Sequence, residues 1–386
     1  MSTTLRFLLA VAALLLAPPL TSWVGALAAE GPLAADPQDG QPDASKWLLD
    51  RKGFLPVPII ITEPAVGYGG GLGVLFFREP PREAAEAGQG RRRGPPDVFG
   101  FAAAATENGT KFGGAGGMFS FDEDRWRYRG GVAVTSVNLD FYGVGGNLGT
   151  GDRKLGYNLD GLMSSQQVLR RIGETDHFVG LRWIYLDLDS TFDPARPRPV
   201  LPAKSFSERS SGVGLSWEYD SRDNIFTPSR GIQGALDTLA YAPAVGSDNE
   251  FQTYRAHVFA WQPVGKFLVV GGRLDGRAAR GDVPFYQMPF VDMRGVPAAR
   301  YQDINTAIAE TEVRWNVTPR WALIGFIGAA RAWGTRESFD QAGTVVSKGT
   351  GVRYLLARRL GLYMGLDYAW GPEDRTFYIQ VGSAWR

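Results

Sequence analysis

Apolar and polar residues alternating with period two along almost the whole chain, segments of ten or more residues in that pattern, and tryptophans at segment ends predict an all-β fold, a transmembrane antiparallel β-barrel. Soluble strands average about five or six residues, whereas a tilted strand crossing hydrocarbon needs about 9–11. Gly supplies 50 of the 386 residues, nearly double the usual share of about 7%. A hydrophobic content of 44% with 12% aromatics is too apolar for a disordered chain. The formal net charge of +1 offers no field for nucleic acid, so none is expected as a partner. With no Cys, and His177 and His257 the only histidines, disulfides, thiolate metal sites, Cys nucleophiles and multi-histidine centres are excluded, and no cofactor or metal is expected.

At the N-terminus, Arg6, the apolar run Phe7–Ala17 and the small residues Ala26-Leu27-Ala28 form the pattern of a cleaved secretory signal peptide over residues 1–28. Residues 29–53 are rich in Ala, Pro, Asp and Gly without periodicity and read as a flexible periplasmic lead. Residues 54–386 carry the barrel, placed in the bacterial outer membrane and in contact with its lipid.

The alternation places strands near 57–62, 66–77, 97–107, 110–121, 125–138, 154–168, 176–189, 207–220, 231–242, 250–262, 266–280, 304–316, 320–334, 345–357, 360–370 and 375–386. Lipid cannot satisfy a free strand edge, so a spanning sheet closes on itself with an even strand number: sixteen by this reading, with twelve or fourteen as alternatives. In the strand at 207–220, Val213, Leu215, Trp217 and Tyr219 oppose Gly212, Gly214, Ser216, Glu218 and Asp220. Trp315 and Trp321 bracket a tight turn, and Trp370 and Trp385 end their strands, as an interfacial aromatic girdle requires. Long connections such as 281–303 fall on the outer side and short turns on the periplasmic side. The basic stretch 78–96 breaks that parity, which leaves the first strands the least defined.

Several motifs then resemble one family. The turn after the strand at 207–220, with Asp220, Arg222, Asp223, Asn224, Pro228, Arg230 and Gly231, resembles the D-x-R-D-N…P-x-R-G turn of BamA/TamA-type outer-membrane assembly and surface-antigen barrels. Cross-paired Asp and Arg with a Pro and a Gly would also stabilise a tight turn without any further function. Met293-Arg294-Gly295-Val296 is similar to the V-R-G-F/Y loop tip that this family folds into its lumen, with Val296 in the aromatic's place. The resemblance implies that Arg294 docks on acidic residues of the inner wall. Glu310, Glu312 and Arg314 share one face of the next strand, similar to the family's E-x-R strand, and Gly328 stands where the family has an Asp. Glu312 or Glu310 is therefore the expected partner of Arg294. Phe141-Tyr142-Gly143 and Pro64 to Gly71 also fit family loops. Phe377, Ile379, Val381 and Trp385 resemble the terminal barrel-sorting signal, with Trp385 penultimate, which implies the outer-membrane assembly machinery as a partner during biogenesis. About 25 residues between the cleavage point and Phe54 leave no room for the family's POTRA modules, so a barrel without them is expected.

The resemblance implies a pore, scaffold or translocation and assembly element, with its functional protein partner undefined. A passive diffusion pore is the alternative within the same fold. A barrel enzyme such as a lipase would need Ser and His brought together, and neither histidine lies beside a G-x-S-x-G elbow, so no catalytic residue is expected. A soluble β-sandwich is the remaining class.

Overall fold

The structure, a computed structural model, describes residues 34–49, 54–77, 97–143, 155–193, 204–373 and 375–385. The expected signal peptide at 1–28 and the basic stretch 78–96 lie outside the described residues. Sixteen strands run in chain order: β1 Phe54–Glu63, β2 Gly67–Phe77, β3 Val98–Thr106, β4 Lys111–Phe121, β5 Trp126–Phe141, β6 Leu155–Arg171, β7 His177–Asp193, β8 Lys204–Asp220, β9 Gly231–Tyr241, β10 Phe251–Val264, β11 Leu268–Gly281, β12 Asn305–Asn316, β13 Trp321–Trp333, β14 Val345–Ala357, β15 Leu362–Trp370 and β16 Arg375–Val381. Each pairs antiparallel with its neighbour in sequence, giving one sheet from β1 to β16. β1 and β16 come alongside each other and so bring the sheet round into a barrel.

Period two dictates which face meets the membrane. Leu72, Phe101, Val134, Leu181, Leu215 and Leu274 point outward in mid-strand and are each more than half exposed, which is tolerable only against hydrocarbon. Trp315 and Trp321 are exposed at the ends of β12 and β13. Their position supports the girdle expected of them. The protein is a transmembrane antiparallel β-barrel of sixteen strands.

The inner face is of two kinds. On β1, Leu55, Val57, Ile59 and Ile61 are buried in an apolar cluster with Phe112 and Ala133. From β7 to β15 the inner wall is charged and paired: Arg182 with Asp237 at 3.1 Å, Arg255 with Asp275 at 2.7 Å, and Arg353 with Asp367 at 2.6 Å. Burying such charges is costly unless each meets an opposite charge and hydrogen-bond partners.

Two expectations change. The final strand stops at Val381, because Gly382 takes φ +73° and turns the chain out of the ladder. Parity is lost there, and Trp385 enters the barrel to pack with Phe259, Trp261 and Val269 at 3% exposure. It is not part of an outer girdle. The lead was expected to be flexible, yet its described part forms a bridge pair, Ala34–Ala35 with Pro42–Asp43, and a one-turn helix α1, Ser45–Leu49, both fixed to the barrel.

Candidate functional site

β1 starts and β16 ends at the same end of the barrel, here the terminal rim. The connection from β11 to β12, residues 282–304, leaves the opposite loop rim and folds into the lumen. Three anchors hold it. Near the rim, Phe285 inserts among Phe141, Tyr157 and Phe192, with ring centroids 5.1–5.3 Å away. Deeper, Val291, Met293 and Val296 pack on Ile308, Ala330 and Val345 of the inner wall. Val296 thus fills an apolar site itself. Between these, Arg277 of β11 binds Asp292 at 2.9 Å.

The third anchor is the loop tip. Arg294 binds Glu312 at 2.8 Å and Asp367 at 2.9 Å, and its guanidinium lies 3.6 Å over the Phe326 ring. Of the two expected partners, Glu312 is used, while Glu310 turns to Arg273 at 2.6 Å. Asp367, on β15, was not anticipated and supplies the carboxylate that position 328 lacks. A Cβ on Gly328 would meet Met293 Sδ and Glu310 Cγ at 2.6 Å, so glycine there clears the space the loop occupies. Gly295 takes φ +80° with Ser347, Ala369 and Gly371 close by, leaving no room for a side chain. The Ser347 hydroxyl donates to the Arg294 carbonyl.

The same inner face of β12 reaches the other motif. Arg314 donates to the Pro228 carbonyl at 3.3 Å and to Ser229 Oγ at 2.5 Å. The turn 221–230 is self-stabilised as its sequence suggests. Asp220 accepts from Arg222 Nε at 2.8 Å and Nη2 at 2.7 Å, and Asp223 accepts the Ser229 and Arg230 amides at 2.9 and 3.1 Å. Gly231 completes it at φ +107°. Asn224 caps Phe226 and Thr227 through its Oδ1 at 2.8 and 2.9 Å, and its Nδ2 donates to Leu360 O at 2.8 Å. Leu360 belongs to the β14–β15 turn, five strands from β9, so this segment crosses the terminal mouth. The Ser383 amide donates to Phe226 O at 2.6 Å, joining the inturned residues 382–385 to the same bridge.

Of the proposed sorting residues, Phe377 faces outward at 40% exposure, Ile379 is half-buried opposite Leu366, and Val381 and Trp385 are buried.

Among the described residues no ladder hydrogen bond joins β1 to β16, so these two edges form a seam. The docked loop touches both sides of it: the Gly295 amide donates to Tyr378 OH of β16 at 2.9 Å, and the Ala298 amide to Glu63 Oε1 of β1 at 3.2 Å. Outside, Tyr68 of β2 stacks on Phe377 of β16 with centroids 5.6 Å apart.

These features define a class: a sixteen-stranded transmembrane barrel with an inward-docked loop and an unladdered seam between its first and last strands. Among solved structures, the chain shares this fold with BamA from Haemophilus ducreyi lacking POTRA domains 1–3, at TM-score 0.58 and 12% identity over 86% of this chain and 70% of that one. It is also similar to CdiB from Acinetobacter baumannii, at TM-score 0.53 and 10% identity over 85% of this chain and 59% of that one. CdiB from Escherichia coli gives TM-score 0.53 and 11% identity, over 86% of this chain and 62% of that one. The chain therefore spans about three fifths of the CdiB structures. The sequence matches no family model and no curated relative. The fold is that of a BamA-type barrel.

Proposed function

We propose that the protein is an outer-membrane assembly or translocation barrel of the BamA/TamA type whose working site is the seam, and that its lumen is not a passive channel. The observation that carries this is the loop docked through Arg294, which folds into the lumen and contacts β1 and β16. A diffusion pore needs a water-filled lumen, whereas here both ends carry inward-folded segments held by buried contacts. Two unladdered strand edges in hydrocarbon are costly, and a strand from a client could satisfy them by edge pairing. In this reading the terminal rim faces the periplasm.

No catalytic role is assigned to His257, whose ring stacks on Phe259 at 4.7 Å and lies 3.4 Å from the Gln233 amide. His257→Ala is expected to leave function intact.

Vesicles carrying the purified protein should speed the folding of a urea-denatured outer-membrane barrel several-fold over empty vesicles. Equal rates, together with a steady ohmic conductance in planar bilayers, would favour the diffusion pore.

A further inference from the structure

We propose that the lead, residues 34–49, is a strap that holds the seam shut at the terminal rim, fixed by three aspartates to one side of the seam and continuous in sequence with β1 on the other. Arg320, in the β12–β13 turn, is the main anchor. Its side chain is 4% exposed and binds Asp36 at 2.7 Å, Asp39 at 2.5 Å and Asp43 at 2.5 Å. Arg358, in the β14–β15 turn, binds Asp36 at 2.5 Å, and its amide donates to Asp43 at 2.9 Å. Backbone groups extend the clasp: Ala44 N to Leu356 O at 2.7 Å, Arg359 N to Ser45 Oγ at 3.0 Å, and Tyr354 OH to Pro42 O at 2.6 Å.

All these anchors lie in β14 and in the β12–β13 and β14–β15 turns, on the β16 side. Continuing the chain from Leu49 leads directly into Phe54 of β1, on the other side. Five Cα steps separate those residues, a reach of at most about 18 Å. β1 therefore cannot swing far from β16 at this rim without pulling aspartates off Arg320. Packing points the same way. Ala44 and Leu48 share one apolar cluster with Leu55 and Val57 of β1, Leu362 of β15 and Val381 of β16, so the lead packs against both sides of the seam at this rim. The loop tip closes the seam toward the loop rim, and the strap closes it where no loop reaches.

A segment that was merely docked would protect only itself, whereas a strap protects the strands it ties. The consequence for activity rests on the seam being the working site; the strap itself is tested independently of that.

The experiment is hydrogen–deuterium exchange of the full chain in detergent, comparing wild type with Asp36→Asn/Asp39→Asn/Asp43→Asn. Exchange should rise about tenfold or more in β1 and in β16, and stay unchanged in β6–β8 on the far wall. Arg358→Gln, a milder change that leaves Arg320 with its three partners, should give a smaller rise in the same strands and keeps the test open if the triple variant does not fold. Free exchange of the lead with β1 and β16 still protected would overturn the strap. So would a uniform rise over all strands, which would make the clasp a general stabiliser.

Discussion

At the scale of single residues, the docked loop depends on one cation and on one missing side chain. Removing Arg294 strands the Glu312 carboxylate inside the barrel, because Asp367 keeps Arg353 but Glu312 loses its guanidinium partner. Breaking a buried pair from one side costs about 3–5 kcal/mol, which weakens the docking of a loop that Arg277–Asp292 and the apolar contacts still hold. Gly328→Ala should act by crowding, with its methyl placed 2.6 Å from Met293 Sδ and costing about 1–3 kcal/mol. Both variants are expected to raise single-channel conductance in planar bilayers, Arg294→Ala the more strongly. Unchanged conductance in both would mean that the loop does not occlude the lumen. The Arg294–Glu312 pair was legible only in part: the family resemblance implied that Arg294 docks inside, and alternation put both Glu310 and Glu312 inward without choosing between them. Asp367 was equally legible as inward but not as a partner, since period two gives the face of a strand and not which strands meet through a folded-in loop.

At the scale of elements, alternation located all sixteen strands, and its failures have local causes. One αL glycine at position 382 ended the parity that would have put Trp385 on the lipid side. The lead had no periodicity to read, and its three aspartates gain meaning only from Arg320 and Arg358, nearly three hundred residues away. That clasp has a pH signature. The Arg358 hydrogen bond, helped by the Gln38 amide and the nearby Arg320, holds the Asp36 carboxyl at about 2, below its usual 3.8, while Asp39 is lowered by its bond to Arg320. A carboxylate depressed in the folded state contributes fully above its unfolded value, and that contribution fades as pH falls through the folded one. Amides 34–49 should thus stay protected at pH 4–5, after correction for intrinsic exchange rates, and lose protection only as the pH approaches about 2. Release already at pH 5 would show that the aspartates are not what holds the lead.

At the scale of the whole molecule, three inward-folded segments and the clasped lead all bear on the closure of the barrel. The loop tip ties β1 to β16 from within, the 221–230 bridge and Trp385 close the terminal mouth, and the lead ties the rim below the seam. A barrel that served only as a conduit would gain nothing from guarding the junction of its first and last strands, whereas one that works by parting them needs that junction weak but supervised. Locking the strap separates these cases. The chain has no Cys, so Pro42→Cys with Tyr354→Cys offers a unique pair at a contact where the Tyr354 hydroxyl reaches the Pro42 carbonyl at 2.6 Å. A short bis-maleimide suits it better than a disulfide, because a tyrosine side chain spans the gap and disulfides need Cα atoms within about 7 Å. If the seam must part at the terminal rim, the cross-linked protein should still migrate as a heat-modifiable barrel yet lose most of its acceleration of client folding in vesicles. The same double variant without cross-linker should keep that acceleration. Full activity in the locked form would confine any opening to the loop-rim half of the seam, where Tyr68 and Phe377 stack, and would make the docked loop alone its gatekeeper.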